Sequence, residues 1–476
     1  PANRNFAAEV LLRWNQVQGE EAMYLQRLSR RSNSPTIQQL AGKIRAERKA
    51  LSLLANQENT VPNALQISLD RLAKLEVELS QKSHDYKQHL AARDLDLNDI
   101  RASLPTDGAL IALKIYRPID IENSTLKSPH YLALLIPADD ERAIQLRDLG
   151  KVEDSIIFNT SLQAGKDQAA GDLYQKLFGD WDKQLAQYDS LYIIPDGQLH
   201  LINFERLKLP DDRYWIERQP LYRLQTARDL IRPKPEQQGK GFIAIGGINY
   251  GENNTIQVAL NDTQRNLAGQ LQNGFTSLAA TRKEAQQIAE YFWHPDNQKP
   301  QLWLDNNATE HRLKNLKQPP QILHLATHGF YLEDQQQLER PMVLSGLALA
   351  GANTGIQGKT DQHGDDGVLY AMEVLDLNLE GTQLVTLSAC ETGEGEIDYS
   401  EGVYGLIRAF RIAGAQHILM TLRKVEDEAA FQFMDSFYFN WFENGKFDNP
   451  AVALRKTKLD FIKQGKPTEF WSPYVL

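Results

Sequence analysis

From residue 104 onward the chain carries short, continuous apolar runs, at 110–116, 131–136, 191–194, 242–245, 322–326, 384–387 and 418–422. A strand with one face in water alternates apolar and polar residues. A strand buried on both faces reads as an unbroken apolar run, as most of these do. Such strands need covering layers, and the stretches between them have helical texture. Thr281-Arg282-Lys283-Glu284 has the spacing of a capping box and predicts a helix through Phe292. A second helix is expected over 401–413, stopped by Gly414. Strands alternating with helices predict an α/β fold.

Residues 1–103 read differently, as helices. Ser34 followed by Pro35 is a helix start, and Ile37, Leu40 and Ile44 then share a face. Leu65, Leu69, Leu72 and Leu79 form a second apolar stripe. The plain reading of both stripes is helix-on-helix packing; a partner-binding helix is the alternative. A Pro-rich stretch, Arg232-Pro233-Lys234-Pro235 onward to Gly241, has linker composition. The expected organisation is therefore 1–103, 104–238 and 239–476, with no fixed-period repeat.

Composition narrows the chemistry. The formal net charge is −10 with Lys and Arg scattered, which gives no basic stripe for nucleic acid. No apolar run approaches the ~18 residues that span a bilayer, so no membrane partner is expected. Residues 1–10 show no basic stretch followed by an apolar one, so no signal peptide is expected there. The single cysteine excludes an intramolecular disulfide, a CxxC pair and a four-cysteine zinc site. It fits a reducing compartment, and the expected location is cytoplasmic.

That cysteine, Cys390, closes the run Leu384-Val385-Thr386-Leu387-Ser388-Ala389-Cys390 and precedes Glu391-Thr392-Gly393. A lone cysteine is usually a small buried hydrophobe. His328 changes the weighing, because it closes another run, Ile322-Leu323-His324-Leu325-Ala326-Thr327-His328, before Gly329. Two strands thus end in a nucleophile and a base, the pair a thiol needs to react at neutral pH. Gly329 lacks a Cβ where a substrate carbonyl would approach. His324, four residues earlier, reads as structural. Gly355-Ile356-Gln357-Gly358-Lys359-Thr360 imitates a phosphate loop, but the Walker spacing puts Asn353 where a glycine is needed. Gly246-Gly247-Ile248-Asn249-Tyr250-Gly251 also fails a dinucleotide fingerprint and reads as a loop at a sheet edge. The glycines from Gly351 to Gly367 predict a poorly ordered or proteolytically processed loop.

His324-Leu325-Ala326-Thr327-His328-Gly329 and Leu387-Ser388-Ala389-Cys390-Glu391-Thr392-Gly393 resemble the two signature segments of CHAT-domain proteins. These are caspase-like proteins often attached to tetratricopeptide repeats. Pro195-Asp196-Gly197-Gln198-Leu199 with Phe204-Glu205, Asp366-Gly367-Val368-Leu369 with Glu373-Val374, the segment from Glu401-Gly402 to Gly414-Ala415, and the ending from Phe470 to Leu476 resemble further family segments in the family's order. The likeness runs over about 100–476. One departure is Thr421-Leu422-Arg423-Lys424-Val425-Glu426-Asp427, where the family often has S-L-W-x-V-x-D, so that its usual Trp and the neighbouring residue are basic here.

The resemblance implies a caspase-like three-layer α/β/α sandwich in two tandem units, a degenerate one and a catalytic one, preceded by an α-helical segment. It implies His328 as general base, Cys390 as nucleophile, and the N–H groups of Gly329 and Cys390 as an oxyanion hole. No cofactor is implied. Asp366, Glu391 and Arg423 are the candidate substrate-binding residues; the other reading of Asp366 is a cap on a helix near Val368. The expected function is cleavage of a protein substrate, gated by an activating partner that acts through residues 1–103 or upstream repeats. The alternative is a silent adaptor that only binds partners.

Overall fold

The computed structural model describes residues 2–13, 24–25, 28–29, 32, 34–55, 62–83, 86–87, 90, 96–120, 123–153, 167–231, 235, 237–252, 274–292, 299–331, 345–388, 399–423, 425–442 and 449–476. The chain divides into two compact units, residues 1–103 with 226–234, and residues 104–225 with 235–476.

The first unit is helical: α1 (Ala2–Arg13), α2 (Pro35–Ala55), α3 (Pro62–Lys82) and α4 (Leu97–Ser103). Helix α2 opens at Pro35, as the Ser-Pro signal predicts, and packs along α3. Leu40, Ala41 and Ile44 of α2 and Leu79 of α3 are buried together with Leu25 and Tyr86, so the stripes pack within this unit. Leu65 and Leu69, expected on the same stripe, have side chains outside the described set.

The second unit is mixed α/β. Strands β1 (Gly108–Tyr116), β2 (His130–Pro137), β3 (Gln145–Lys151), β4 (Ser190–Ile194) and β5 (Leu221–Arg223) form one sheet in the order β3-β2-β1-β4-β5. Strand β1 pairs antiparallel with β2 and parallel with β4. Ala109, Ile111 and Leu113 bury one face against Leu173, Tyr174, Leu177 and Phe178 of α5 (Asp167–Phe178).

Strands β6 (Phe242–Ile248), β7 (Gln301–Asp305), β8 (Ile322–Ala326), β12 (Leu384–Ser388), β13 (His417–Thr421) and β14 (Tyr474–Val475) form the other large sheet, in the order β14-β13-β12-β8-β6-β7. All its neighbours are parallel except β13 and β14. One face presents Phe242, Ala244, Ile322, Leu384 and Leu419 to helices α6 (Ala279–Tyr291), α11 (Asp427–Phe442) and α12 (Pro450–Lys463). A small antiparallel sheet, β9 (Gly329–Tyr331), β10 (Ser345–Ala348) and β11 (Val368–Tyr370), rises from the end of β8. Short helices α7 (Glu310–Lys314), α8 (Ala352–Ile356) and α9 (Ala371–Val374), and the longer α10 (Tyr399–Ala413), also belong to this unit.

The two large sheets are tied by polar and aromatic links. The Asn203 amide donates to the carbonyls of Ser472 (2.7 Å) and Tyr474 (3.2 Å). Buried Lys458 pairs with Glu205 and donates to the Tyr474 carbonyl, and the rings of Tyr214 and Trp471 meet at 4.9 Å. The motif-like segments around 195–205 and 470–476 therefore hold the unit together.

Three local expectations change. Thr281 is not a helix cap, because α6 starts at Ala279 and the Thr281 hydroxyl accepts the Gly247 N–H at 2.9 Å. Glu284, its supposed capping partner, is buried against His324. Gly246 and Gly247 sit inside β6, an interior strand, and a Cβ on Gly246 would fall 2.2 Å from the Thr281 carbonyl oxygen. The segment from Gly351 to Gly367 is folded: it contains α8, and a Cβ on Gly355 would fall 1.8 Å from the Asp366 carbonyl oxygen.

Candidate active site

In an open parallel sheet, ligands bind beyond the carboxyl ends of strands where successive connections leave in opposite directions. Here β6 connects outward to β7, while β8 connects the other way to β12 and then β13. The crevice between the ends of β6 and β8 is that switch point. Two residues past β6 stands Tyr250, and two past β8 stands His328; their rings are 5.1 Å apart.

His328 is 1% exposed and also touches the Phe275 ring, at 5.6 Å. Its Nε2 lies 2.6 Å from the backbone carbonyl oxygen of Thr276. A carbonyl can only accept, so Nε2 carries a hydrogen, and in the neutral ring Nδ1 is then the nitrogen with the lone pair. The preceding residue is fixed too. The Thr327 hydroxyl donates to the Ala348 carbonyl and lies 3.0 Å from the Tyr250 hydroxyl, while its N–H donates to the Ser388 carbonyl at 3.3 Å. Strands β8 and β12 are in register, with Ala326 opposite Ser388. His328 and Cys390 each follow that pair by two residues in the sequence. Cys390 and Glu391 lie outside the described residues.

The Gly329 amide has a defined direction. The Ala348 N–H donates to the His328 carbonyl at 2.9 Å, which makes Gly329 and Leu347 a non-hydrogen-bonded pair of the antiparallel ladder. The Gly329 N–H therefore faces away from β10, on the outer side of the edge strand β9.

A family model of the CHAT domain matches residues 167–476, well over half of the chain. The chain belongs to the CHAT-domain family. No curated protein matches it.

In this CHAT-domain chain the two histidines of the signature segment have different surroundings. His324 is fully buried inside β8, with Nε2 2.8 Å from Glu284 and Nδ1 3.1 Å from the Tyr438 hydroxyl, which in turn lies 2.8 Å from the Thr386 hydroxyl. It joins the sheet to α6 and α11, as a structural histidine should. A cavity of about 280 Å³ opens beside the switch point, lined among others by Asn249, Tyr250, Phe275, Ser277, Arg282 and Asp305. Two of its walls, Tyr250 and Phe275, are the rings that touch His328.

The other expected site residues of the CHAT domain are placed as follows. The Asp366 carboxylate accepts the Val368 N–H at 2.9 Å, but Val368 opens strand β11, and the short helix after it is capped by Tyr370 and Glu373. Burial, then Glu373, pushes the Asp366 carboxyl above the usual range. Arg423 follows β13 and donates to the Ser472 hydroxyl at 3.2 Å; burial and nearby Arg206 pull its pKa down. No contact joins either residue to His328 among the described residues. The residues that meet His328, namely Tyr250, Phe275 and the Thr276 carbonyl, carried no sequence signal: Tyr250 fell in a stretch read as a loop at a sheet edge, Phe275 belonged to no motif, and a backbone carbonyl has no side-chain signature.

Next to Asp366, Lys314 meets three carboxylates: Glu310, Glu373 at 2.8 Å and Asp365 at 3.1 Å. One ammonium cannot balance all three, and Glu310 is the most buried. Burial, then Glu373, pushes its pKa up to about 8. The folded state thus holds this proton longer than the unfolded chain, so the Glu310 contribution to stability falls as pH rises from about 4.5 to about 8, by at most ~1.4 kcal/mol per pH unit. Glu310→Gln should lack this component. Urea unfolding of both proteins across that window checks it, and parallel stability curves would refute it. Among the described residues, no group of three or more His, Cys, Asp or Glu is arranged to hold a metal ion. Among them no helix is long and apolar enough to cross a membrane.

Proposed function

We propose that this chain is a caspase-like cysteine endopeptidase with His328 as base and Cys390 as nucleophile. In this reading residues 104–238 and 239–476 are the two tandem units of a three-layer α/β/α sandwich, the second catalytic, behind the helical residues 1–103. The supporting observation is the held tautomer of His328 at the switch point, its Nε2–H committed to Thr276 and Nδ1 left as the base.

The chemistry follows. Nδ1 takes the proton of the Cys390 thiol, and the thiolate adds to a peptide carbonyl carbon. The carbonyl oxygen becomes an oxyanion, received by the N–H groups of Gly329 and Cys390. Collapse breaks the C–N bond, and His328 gives its proton to the leaving amine. Water, deprotonated by the same imidazole, then hydrolyses the thioester and restores the thiol. No cofactor enters. In this reading the acidic Asp366 and Glu391 favour Lys or Arg before the cut bond. The protein works in a reducing, cytoplasmic setting, and a partner that shifts residues 1–103 controls it by binding one state more tightly than the other.

The test is cleavage of an unbiased peptide library, with and without candidate partners. Cleavage that requires both residues supports the reading. A chain that binds partners but cleaves nothing with them is an adaptor. Full-rate cleavage with no partner present removes the gating.

A further inference from the structure

Tyr250 and Gly251 on one side and Phe275 on the other are apart in sequence, yet all three bond to Asn353, a residue 3% exposed in α8. The Asn353 side-chain oxygen accepts the Phe275 N–H at 2.7 Å. Its amide nitrogen donates to the carbonyls of Phe275 (3.0 Å) and Gly251 (3.1 Å). Its own backbone N–H donates to the Tyr250 carbonyl at 2.9 Å. One buried amide thus holds both backbone groups of Phe275, the residue before Thr276, and pins the backbone at Tyr250 and Gly251. Among the described residues, Tyr250 and Phe275, whose rings meet His328, are bonded to Asn353 directly, and the Thr276 carbonyl follows Phe275 in the chain.

We propose that Asn353 is a positioning residue that sets the tautomer of His328. With the backbone fixed at Phe275, the Thr276 carbonyl is aimed at Nε2, the hydrogen stays there, and Nδ1 remains basic. A carbonyl free to swing away would let the ring turn or exchange tautomers, as an imidazole does when the bond to its other nitrogen is lost. Asn353→Asp keeps size and the acceptor for the Phe275 N–H, but replaces the donor by a carboxylate facing two carbonyl oxygens. Asn353→Ser is smaller and neutral. The proposal deepens the reading of His328 as a base, but the tautomer can be observed whether or not the chain cleaves anything.

The experiment uses the whole chain labelled with ¹⁵N-histidine, with tautomers read from two-bond ¹H–¹⁵N correlations and the His328 signals assigned by their loss in His328→Gln. The native chain should show His328 as the Nε2–H form. Both Asn353 variants, if folded, should show a tautomer mixture, and with a cleavable peptide kcat should fall about 10–100-fold while KM changes less than about twofold. A tautomer response without any cleavage keeps the positioning role and sinks the peptidase reading. Cleavage by the native chain with His328 unchanged in folded Asn353 variants does the opposite. An Nδ1–H form in the native chain overturns the proposal outright. Failure of both variants to fold also overturns it, in favour of a purely structural role.

Discussion

Cys390→Ala and His328→Ala should each lower peptide cleavage by about 10³-fold or more, and the double variant should be little worse than either single. The non-additivity is the informative part. If Nδ1 of His328 serves only to take the thiol proton and hand it to the leaving amine, removing the thiol leaves the imidazole with nothing to do. Two residues contributing separately, one to binding and one to chemistry, would multiply their losses. Neither change should unfold the chain. The His328 main chain is held by the Ala348 bond and by its neighbour Thr327, not by the imidazole. Cleavage kinetics with a library-selected peptide, on variants of matched thermal stability, check the expectation. Appreciable turnover by Cys390→Ala would remove the mechanism.

The second large effect concerns the other histidine. Glu284→Ala should cost roughly 3 kcal/mol of stability, because it strips the acceptor from a His324 N–H in a fully buried site. Glu284 is 1% exposed and His324 0%, so water cannot replace the lost partner. Burial holds the Tyr438 phenol far above its usual pKa, so it stays a neutral hydroxyl and cannot take over as an anion. Glu284→Gln retains an acceptor oxygen and should lose clearly less. Activity per folded molecule should not change, since no group of this network touches His328 among the described residues. Denaturant unfolding and kinetics on the two variants separate the roles. A large activity loss without destabilisation would mean that His324 takes part in the chemistry.

What could be read in the sequence follows from burial. Strands β1, β2, β4, β6, β8, β12 and β13 are buried on both faces or nearly so, and their continuous apolar runs announce them. Strands β3, β5 and β7 are edges or outer strands with half-exposed, partly charged residues such as Arg147, Asp148 and Arg223, so no run marks them. Strands β9, β10 and β11 are three or four residues long and include Gly329 and Gly346, too short for any period. Thr281 and Glu284 show a local signal overridden by tertiary partners. The candidate histidine was legible because it follows a strand. Its supports were not: Asn353 sits among glycines and polar residues that look like a flexible loop, and only the fold brings its amide to Phe275.

The account stands on one pair of residues, and the chain has one thiol, so any thiol chemistry reports on Cys390 alone. The most direct measurement is the second-order rate of modification by a peptidyl acyloxymethyl ketone at neutral pH, followed by intact mass, for the native chain and for His328→Gln. The account predicts a single addition at Cys390, slowed about 100-fold or more in the variant, because the imidazole supplies the thiolate. Equal rates in the two proteins would contradict it.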